Sequence, residues 1–276
     1  MKSITFGQYY PADSLIHRMD PRAKLIMAFL YIVVVFLCKN VLAFSLLILS
    51  VLVLAALSKL PIRMILGTLK PVLVILLFTA FINIFMTKGT PETLLTPDGW
   101  FIKIYSEGIW NAAFMVLRIM ALLAATGIFL TFTTTPIALT DAMERVFSPL
   151  KVLHVPVHDL AMMASIALRF IPTLSEETEK IMNAQKARGA DFQSGGLIKR
   201  AKALLPIFIP LLGSAMKRAD ELANAMDCRC YHGGVGRTRL KVLSLRASDV
   251  VFVICVILLG VGVVFSNRVD LFYSIK

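Results

Sequence analysis

The sequence runs to 276 residues, 58% of them hydrophobic, with 29 Lys and Arg against 17 Asp and Glu for a net charge of +12. Its mean hydropathy of +0.78 exceeds that of a soluble globular domain, in which roughly half of the residues are apolar, so a membrane is the expected solvent. In such a chain the Lys/Arg excess marks loops and their anionic lipid surface, and nucleic acid is not an expected partner.

The opening, Met1 to Lys24, holds Pro, Asp, His and Arg without the apolar core of a cleaved signal peptide. The first apolar block, Leu25 to Leu57, would be about 50 Å long as one helix, far more than a ~30 Å hydrocarbon core needs. Its break at Lys39-Asn40 reads as the turn of a helical hairpin at the far membrane face, with a single long tilted helix as the alternative. The next span is expected from about Val72 to Met86. A polar loop, Thr87 to Gly108, follows with Pro91, Pro97, Asp98-Gly99 and Trp100, and Trp110 just beyond it suits an interfacial anchor. Ile109 to Phe132 brings the chain back, and Val250 to Phe265 forms the last span.

Between Thr133 and Ser248 the chain is mostly polar and basic. Two apolar runs there, Leu160 to Leu174 and Ala203 to Gly213, are short and hold Arg169, Pro172, Pro206 and Pro210, so neither reads as a span. Each leads into a charged stretch, Ser175 to Arg188 and Met216 to Arg229. That plan predicts two long amphipathic helices with one end at the membrane and the other in the cytoplasm. The fold class is therefore all-α: a polytopic membrane protein of about five transmembrane helices plus two or three long amphipathic cytoplasmic helices. Residues 1–136 hold the N-terminal segment and four spans, 137–246 the basic region and 247–276 the last span.

Basic residues set the orientation. Seven precede the loop at Thr87 on the expected inner side (Lys2, Arg18, Arg22, Lys24, Lys59, Arg63, Lys70), and sixteen more lie between Thr133 and Ser248. The outer side holds only Lys39, Lys88, Lys103, Arg268 and Lys276. A multi-pass protein of the cell membrane is expected, with its N-terminus and basic region cytoplasmic and its C-terminus outside.

Chemistry is sparse. Gly233-Gly234-Val235-Gly236-Arg237-Thr238 has glycines but neither the spacing nor the Lys of a phosphate loop, and reads as a flexible turn. Cys228, Cys230 and His232 fall short of any zinc spacing, and the four cysteines (with Cys38 and Cys255) imply no disulfide framework. His17, His154, His158 and His232 are scattered. Glu176, Glu177 and Glu179 read as a solvated helix face, with Glu176 and Lys180 as an i,i+4 pair. Arg118 lies inside a span and should face the bundle or snorkel. Two arginines remain at helix ends, Arg188 in Ala187-Arg188-Gly189 and Arg229 in Cys228-Arg229-Cys230. Their rigid five-donor forks suit a partner's carboxylates or helix-end carbonyls, and equally suit lipid phosphates.

At these residues the sequence resembles a known family, the transmembrane (T) component of energy-coupling factor transporters, over almost its whole length. Gly7-Gln8-Tyr9-Tyr10-Pro11, Asp13-Ser14, His17 and Asp20-Pro21-Arg22 are similar to the family's opening. Thr133-Thr134-Thr135-Pro136, Ser148-Pro149-Leu150-Lys151 and Ala167-Leu168-Arg169-Phe170-Ile171-Pro172-Thr173 resemble its middle. The most specific stretches are Ala184 to Phe192 and Ala225 to Gly233.

The resemblance implies that two Ala-Arg-Gly-type motifs end the coupling helices and dock on two ATP-binding cassette ATPase subunits. The first is intact at Ala187, Arg188 and Gly189, whereas the second keeps only Arg229, with Cys228 and Cys230 in place of Ala and Gly. Because Cys does not adopt positive φ as cheaply as Gly, the helix-end geometry at Arg229 is expected to be less secure. The apolar halves would carry a membrane substrate-binding (S) subunit on a platform of Met163, Ile166, Phe170, Leu205, Phe208 and Leu212. ATP and Mg would sit on the ATPases, with no cofactor, metal or catalytic residue in this chain, and uptake would be of vitamins or other micronutrients. Met162, Met163, Met182, Met216 and Met226 suit a surface that repacks, and equally an ordinary core. A stand-alone secondary transporter or channel would instead call for internal repeats and midplane charges, and a membrane enzyme for convergent acids, histidines or metal ligands.

Overall fold

The computed structural model describes residues 9–87, 105–192, 196–233 and 245–268. The expected loop with Pro91, Pro97 and Trp100, and most of the Gly233 to Thr238 turn, lie outside them. The described residues form helices without strands, and the chain divides into two compact units, residues 1–143 with 243–276, and residues 144–242.

In the first unit, α1 (Pro21–Leu37) starts with Pro21 in its first turn and Asp20 as its cap, the Asp20 carboxylate accepting from the Arg22 N–H at 2.9 Å. The hairpin expected from the Lys39-Asn40 break is present, since α2 (Val41–Ser58) begins directly after Asn40. The Lys59 N–H bonds back to the Ala56 carbonyl with Lys59 in the left-handed region (φ 53°), closing α2. Pro61 then precedes α3 (Ile62–Met86).

This helix begins ten residues before the expected Val72. It runs through Pro71 and leaves exposed Arg63 and Lys70, two of the basic residues counted on the inner side. α4 (Ser106–Thr126) continues as a π-helical turn over Gly127–Phe132, and α8 (Ala247–Ser266) closes the unit.

What holds these helices is close packing through small side chains, the usual solution in lipid, where apolar burial provides no driving force. Ala23, Ala28, Ala43, Ala112, Ala121, Ala124 and Ala125 are buried. A Cβ on Gly260 would lie 3.0 Å from Val34 Cγ2, so α8 approaches α1 where glycine allows it. Tyr31 reaches from α1 to the Ser50 hydroxyl of α2 at 2.8 Å, and Phe44 stacks on Phe114 of α4 at 4.9 Å. Phe29, Phe36, Leu52, Val74, Phe78 and Leu258 stay exposed on the same helices. Helices apolar inside and out are membrane helices.

Helices α2, α3, α4 with its π turn, and α8 are long and apolar enough to cross a membrane, and α1, with 17 residues, stands at the lower end of the usual ~17–25. These are the five spans expected from the sequence. By length and composition α6, whose apolar run was not expected to span, qualifies as well.

The boundary between the units falls within α5 (Pro136–Val146), and in the second a short 3₁₀ turn over Ser148–Leu153 leads to α6 (Val157–Ala187) and α7 (Leu197–Asp227). The last two have 31 residues each, about 46 Å at 1.5 Å per residue. Neither is interrupted at Pro172, Pro206 or Pro210. His158 at the start of α6 meets Glu144 at the end of α5, Nδ1 to Oε1 at 2.9 Å.

Candidate functional site

The two long helices end in the same way. At the end of α6 the Ala190 N–H bonds to the Gln185 carbonyl at 3.0 Å and the Gly189 N–H to the Lys186 carbonyl at 3.0 Å. At the end of α7 the Tyr231 N–H bonds to the Met226 carbonyl at 3.1 Å and the Cys230 N–H to the Asp227 carbonyl at 2.9 Å. Both are Schellman closures, in which a left-handed residue turns the chain back over the last carbonyls. Gly189 (φ 86°) supplies that residue for α6 and Cys230 (φ 55°) for α7. The turn expected to be less secure at the second motif is formed all the same. Cys230 takes the left-handed conformation despite its Cβ, held by the same pair of hydrogen bonds.

Arg188 and Arg229 occupy equivalent positions, each the last residue before the left-handed turn, and both are exposed. Neither forms an ion pair with a carboxylate among the described residues. Cys228 and Cys230 are exposed free thiols, and no group of three metal-ligating side chains occurs among the described residues. Each tip thus presents one exposed guanidinium, accompanied on the second by two thiols.

Glu177 ties the two helices together, its carboxylate accepting from Arg218 Nη2 at 2.6 Å and from the Ser214 hydroxyl. The pair Glu176–Lys180 expected from spacing is not formed. The glutamate one residue further on lies on the face that meets α7, and a partner on another helix is invisible to an i,i+4 count. Glu177 lies eleven residues before Arg188, and Arg218 eleven before Arg229. The crossing is therefore about 16 Å along each helix from its tip.

Towards the other ends, Met163, Leu205, Phe208 and Leu212 are exposed, and Ile166 and Phe170 half-buried. Leu205, Phe208 and Leu212 follow each other at three and four residues, one stripe of α7. Leu204, Ile209 and Met216 are exposed too, so the apolar surface is wider than the residues named from the sequence. Of the five methionines, Met163 and Met216 are exposed while Met162, Met182 and Met226 are half-buried.

Within the first unit, Arg118 finds the partner that sequence reading could not assign. Its Nη2 donates to the Cys38 carbonyl at 2.7 Å, where α1 ends, and its guanidinium lies 5.6 Å from the centroid of the Phe44 ring. The arginine closes the α1 end of the hairpin, which makes it structural. His17 is fixed beside the start of α1, with Nδ1 2.6 Å from the Ser14 hydroxyl and Nε2 2.9 Å from the Tyr10 carbonyl. Burial holds its pKa below the ordinary 6.5 against the opposing pull of that carbonyl.

A family model described as cobalt transport protein, CbiQ, matches residues 12–242. The chain is 48% identical over 271 residues to the energy-coupling factor transporter transmembrane protein EcfT of Ruminiclostridium cellulolyticum, covering 98% of this chain and 97% of that protein. It is 46% identical to the protein of the same name from Bacillus subtilis, over 94% of this chain and 97% of the relative. The Lactococcus lactis protein, again so named, is 41% identical over 98% of this chain and the whole of its own length.

Proposed function

The chain belongs to the CbiQ family as an energy-coupling factor transporter transmembrane protein, and from that premise we propose that it is the mechanical link between two ATPase subunits and a substrate-binding membrane subunit. The observation that carries this reading is the pair of matching helix ends, each presenting one exposed arginine ahead of a left-handed turn. Two equivalent tips suit two equivalent grooves, and bidentate contact of each guanidinium with a groove carboxylate would fix the tip in direction as well as place. Docking involves Ala187, Arg188 and Gly189 on one tip and Cys228, Arg229 and Cys230 on the other.

When the ATPases close on ATP, the tips follow, and the Glu177–Arg218 contact makes the two helices move as a pair of levers. The apolar stripe of Leu205, Phe208 and Leu212, with Met163, Ile166 and Phe170 of α6, carries the substrate-binding subunit and tilts it. ATP and Mg belong to the ATPases, and the chain itself is not an enzyme. The basic region faces the cytoplasm, and the transported solute is a vitamin or other micronutrient recognised by the partner.

Affinity purification from cells expressing the chain with its chromosomal neighbours tests this. Wild type is expected to bring down ATPase subunits, and Arg188→Glu or Arg229→Glu to reduce their recovery by tenfold or more, the scale of ~2 kcal/mol for a lost charge-assisted contact. Full recovery with both arginines reversed would contradict the docking role.

A further inference from the structure

We propose that the first unit holds one anionic phospholipid as a bound ligand, its acyl chain in a groove between α2, α3 and α4 and its phosphate at Lys59. The groove is a cavity of about 750 Å³ lined almost wholly by apolar side chains, with Leu52, Leu66 and Met120 contributed by the three helices in turn. Along α2 it extends from Ile48 to Lys59, about 16 Å at 1.5 Å per residue. That is half of a ~30 Å hydrocarbon core, the reach of an acyl chain from one leaflet.

Its charge lies at one end only. Lys59 is exposed and pairs with no carboxylate among the described residues. Past Lys59 the groove adjoins a second, smaller cavity of about 410 Å³, lined by Arg18, Lys59 and Ser14 together with Asp13. Arg18 meets Asp13 at 3.5 Å with both side chains mostly in solvent, so that contact competes weakly. Two cations against one carboxylate leave the headgroup cavity positive. The N-terminal end of α3 opens at the same mouth, with Pro61 and Ile62 on the groove wall, and adds the positive end of a helix dipole. An apolar channel of one-leaflet length with a basic mouth fits a single-headed anionic amphiphile, and the bilayer supplies phospholipid at its door.

The test uses the full chain with its native partners in phosphatidylcholine vesicles doped with phosphatidylglycerol carrying a diazirine on its acyl chain, followed by mass-spectrometric mapping. Adducts are expected to concentrate on residues 48–56, 62–69 and 117–124. Lys59→Asn keeps a residue type that accepts positive φ and is expected to lower labelling there about five-fold, the scale of one basic residue's pull on an anionic lipid. Arg18→Gln, outside the helices, should lower it as well and serves if the first variant misfolds. Adducts spread evenly over every exposed apolar face, and unchanged in both variants, would reduce the site to ordinary surrounding lipid and overturn the proposal. Equal labelling by diazirine-phosphatidylcholine would overturn the anionic preference, and cross-links from a partner protein into the groove would assign it to protein.

Discussion

At the scale of single residues, the comparison of Gly189 with Cys230 separates what a residue prefers from what its surroundings impose. A Cβ in the left-handed region costs about 1 kcal/mol, and Cys230 accepts that cost with the same two closing hydrogen bonds as Gly189. Sequence reasoning located both arginines and ranked the second tip as the weaker. That the carbonyls of Met226 and Asp227 close the second turn all the same is not visible in a propensity, which shows only the cost. Cys230→Gly is therefore expected to stabilise the tip and slow exchange of the Tyr231 amide by roughly five-fold, whereas Gly189→Val should speed exchange of the Ala190 amide by at least as much. Hydrogen exchange on the purified chain reads both, and no change at Ala190 would mean that the left-handed turn does not close α6.

His17 gives a second prediction at this scale. With Nε2 facing the Tyr10 carbonyl and Nδ1 facing the Ser14 hydroxyl, the neutral ring donates at Nε2 and accepts at Nδ1. Protonation would turn Nδ1 into a donor and add charge in a half-buried place. Since the folded pKa lies below 6.5, the contact is intact above pH 6.5, and its stability drains away as pH falls from 6.5 towards the folded value. Titration of His17 by NMR is expected to return a pKa below 6.5, and faster amide exchange in residues 10–18 should accompany the acid side. A pKa at or above 6.5 would contradict it.

The elements were legible to differing degrees. Runs of apolar residues announced α1, α2, α4 and α8 because a lipid-exposed helix must be apolar on every face, which leaves a signal that needs no periodicity. The start of α3 was hidden, since basic residues and Pro71 at a membrane surface look alike in a sequence whether the helix continues through them or begins after them. Pairing between elements left no local trace either. Glu177 and Arg218 lie 41 residues apart, and a glutamate at 177 is indistinguishable by spacing from its neighbour at 176. Their side chains are only 23% and 34% exposed, so this pair should contribute more than a surface salt bridge does. A double-mutant cycle with Glu177→Gln and Arg218→Gln, followed by denaturant unfolding, is expected to show a coupling of about 1 kcal/mol. Strictly additive single effects would mean that the helices cross without a joint there.

For the molecule as a whole, composition established the membrane, and the order of short motifs established the family before any geometry. What geometry adds is that the two arginine tips are built alike and lie the same number of residues beyond the Glu177–Arg218 crossing, an equivalence hidden by the replacement of Ala and Gly by Cys228 and Cys230. Under the proposed function, a pair of levers joined at a common crossing would let one chain answer two ATPases at once. The central claim is that these levers move with nucleotide. It is met most directly by pulsed electron-spin distance measurement between labels at Lys186→Cys and Asp227→Cys, on a background without Cys38, Cys228, Cys230 and Cys255, in the assembled complex with ATP and then with ADP. The account predicts a distance distribution that shifts between the two nucleotide states and stops shifting when Arg188 and Arg229 are reversed to Glu. One fixed distance in both states, with ATP-driven uptake intact, would contradict it.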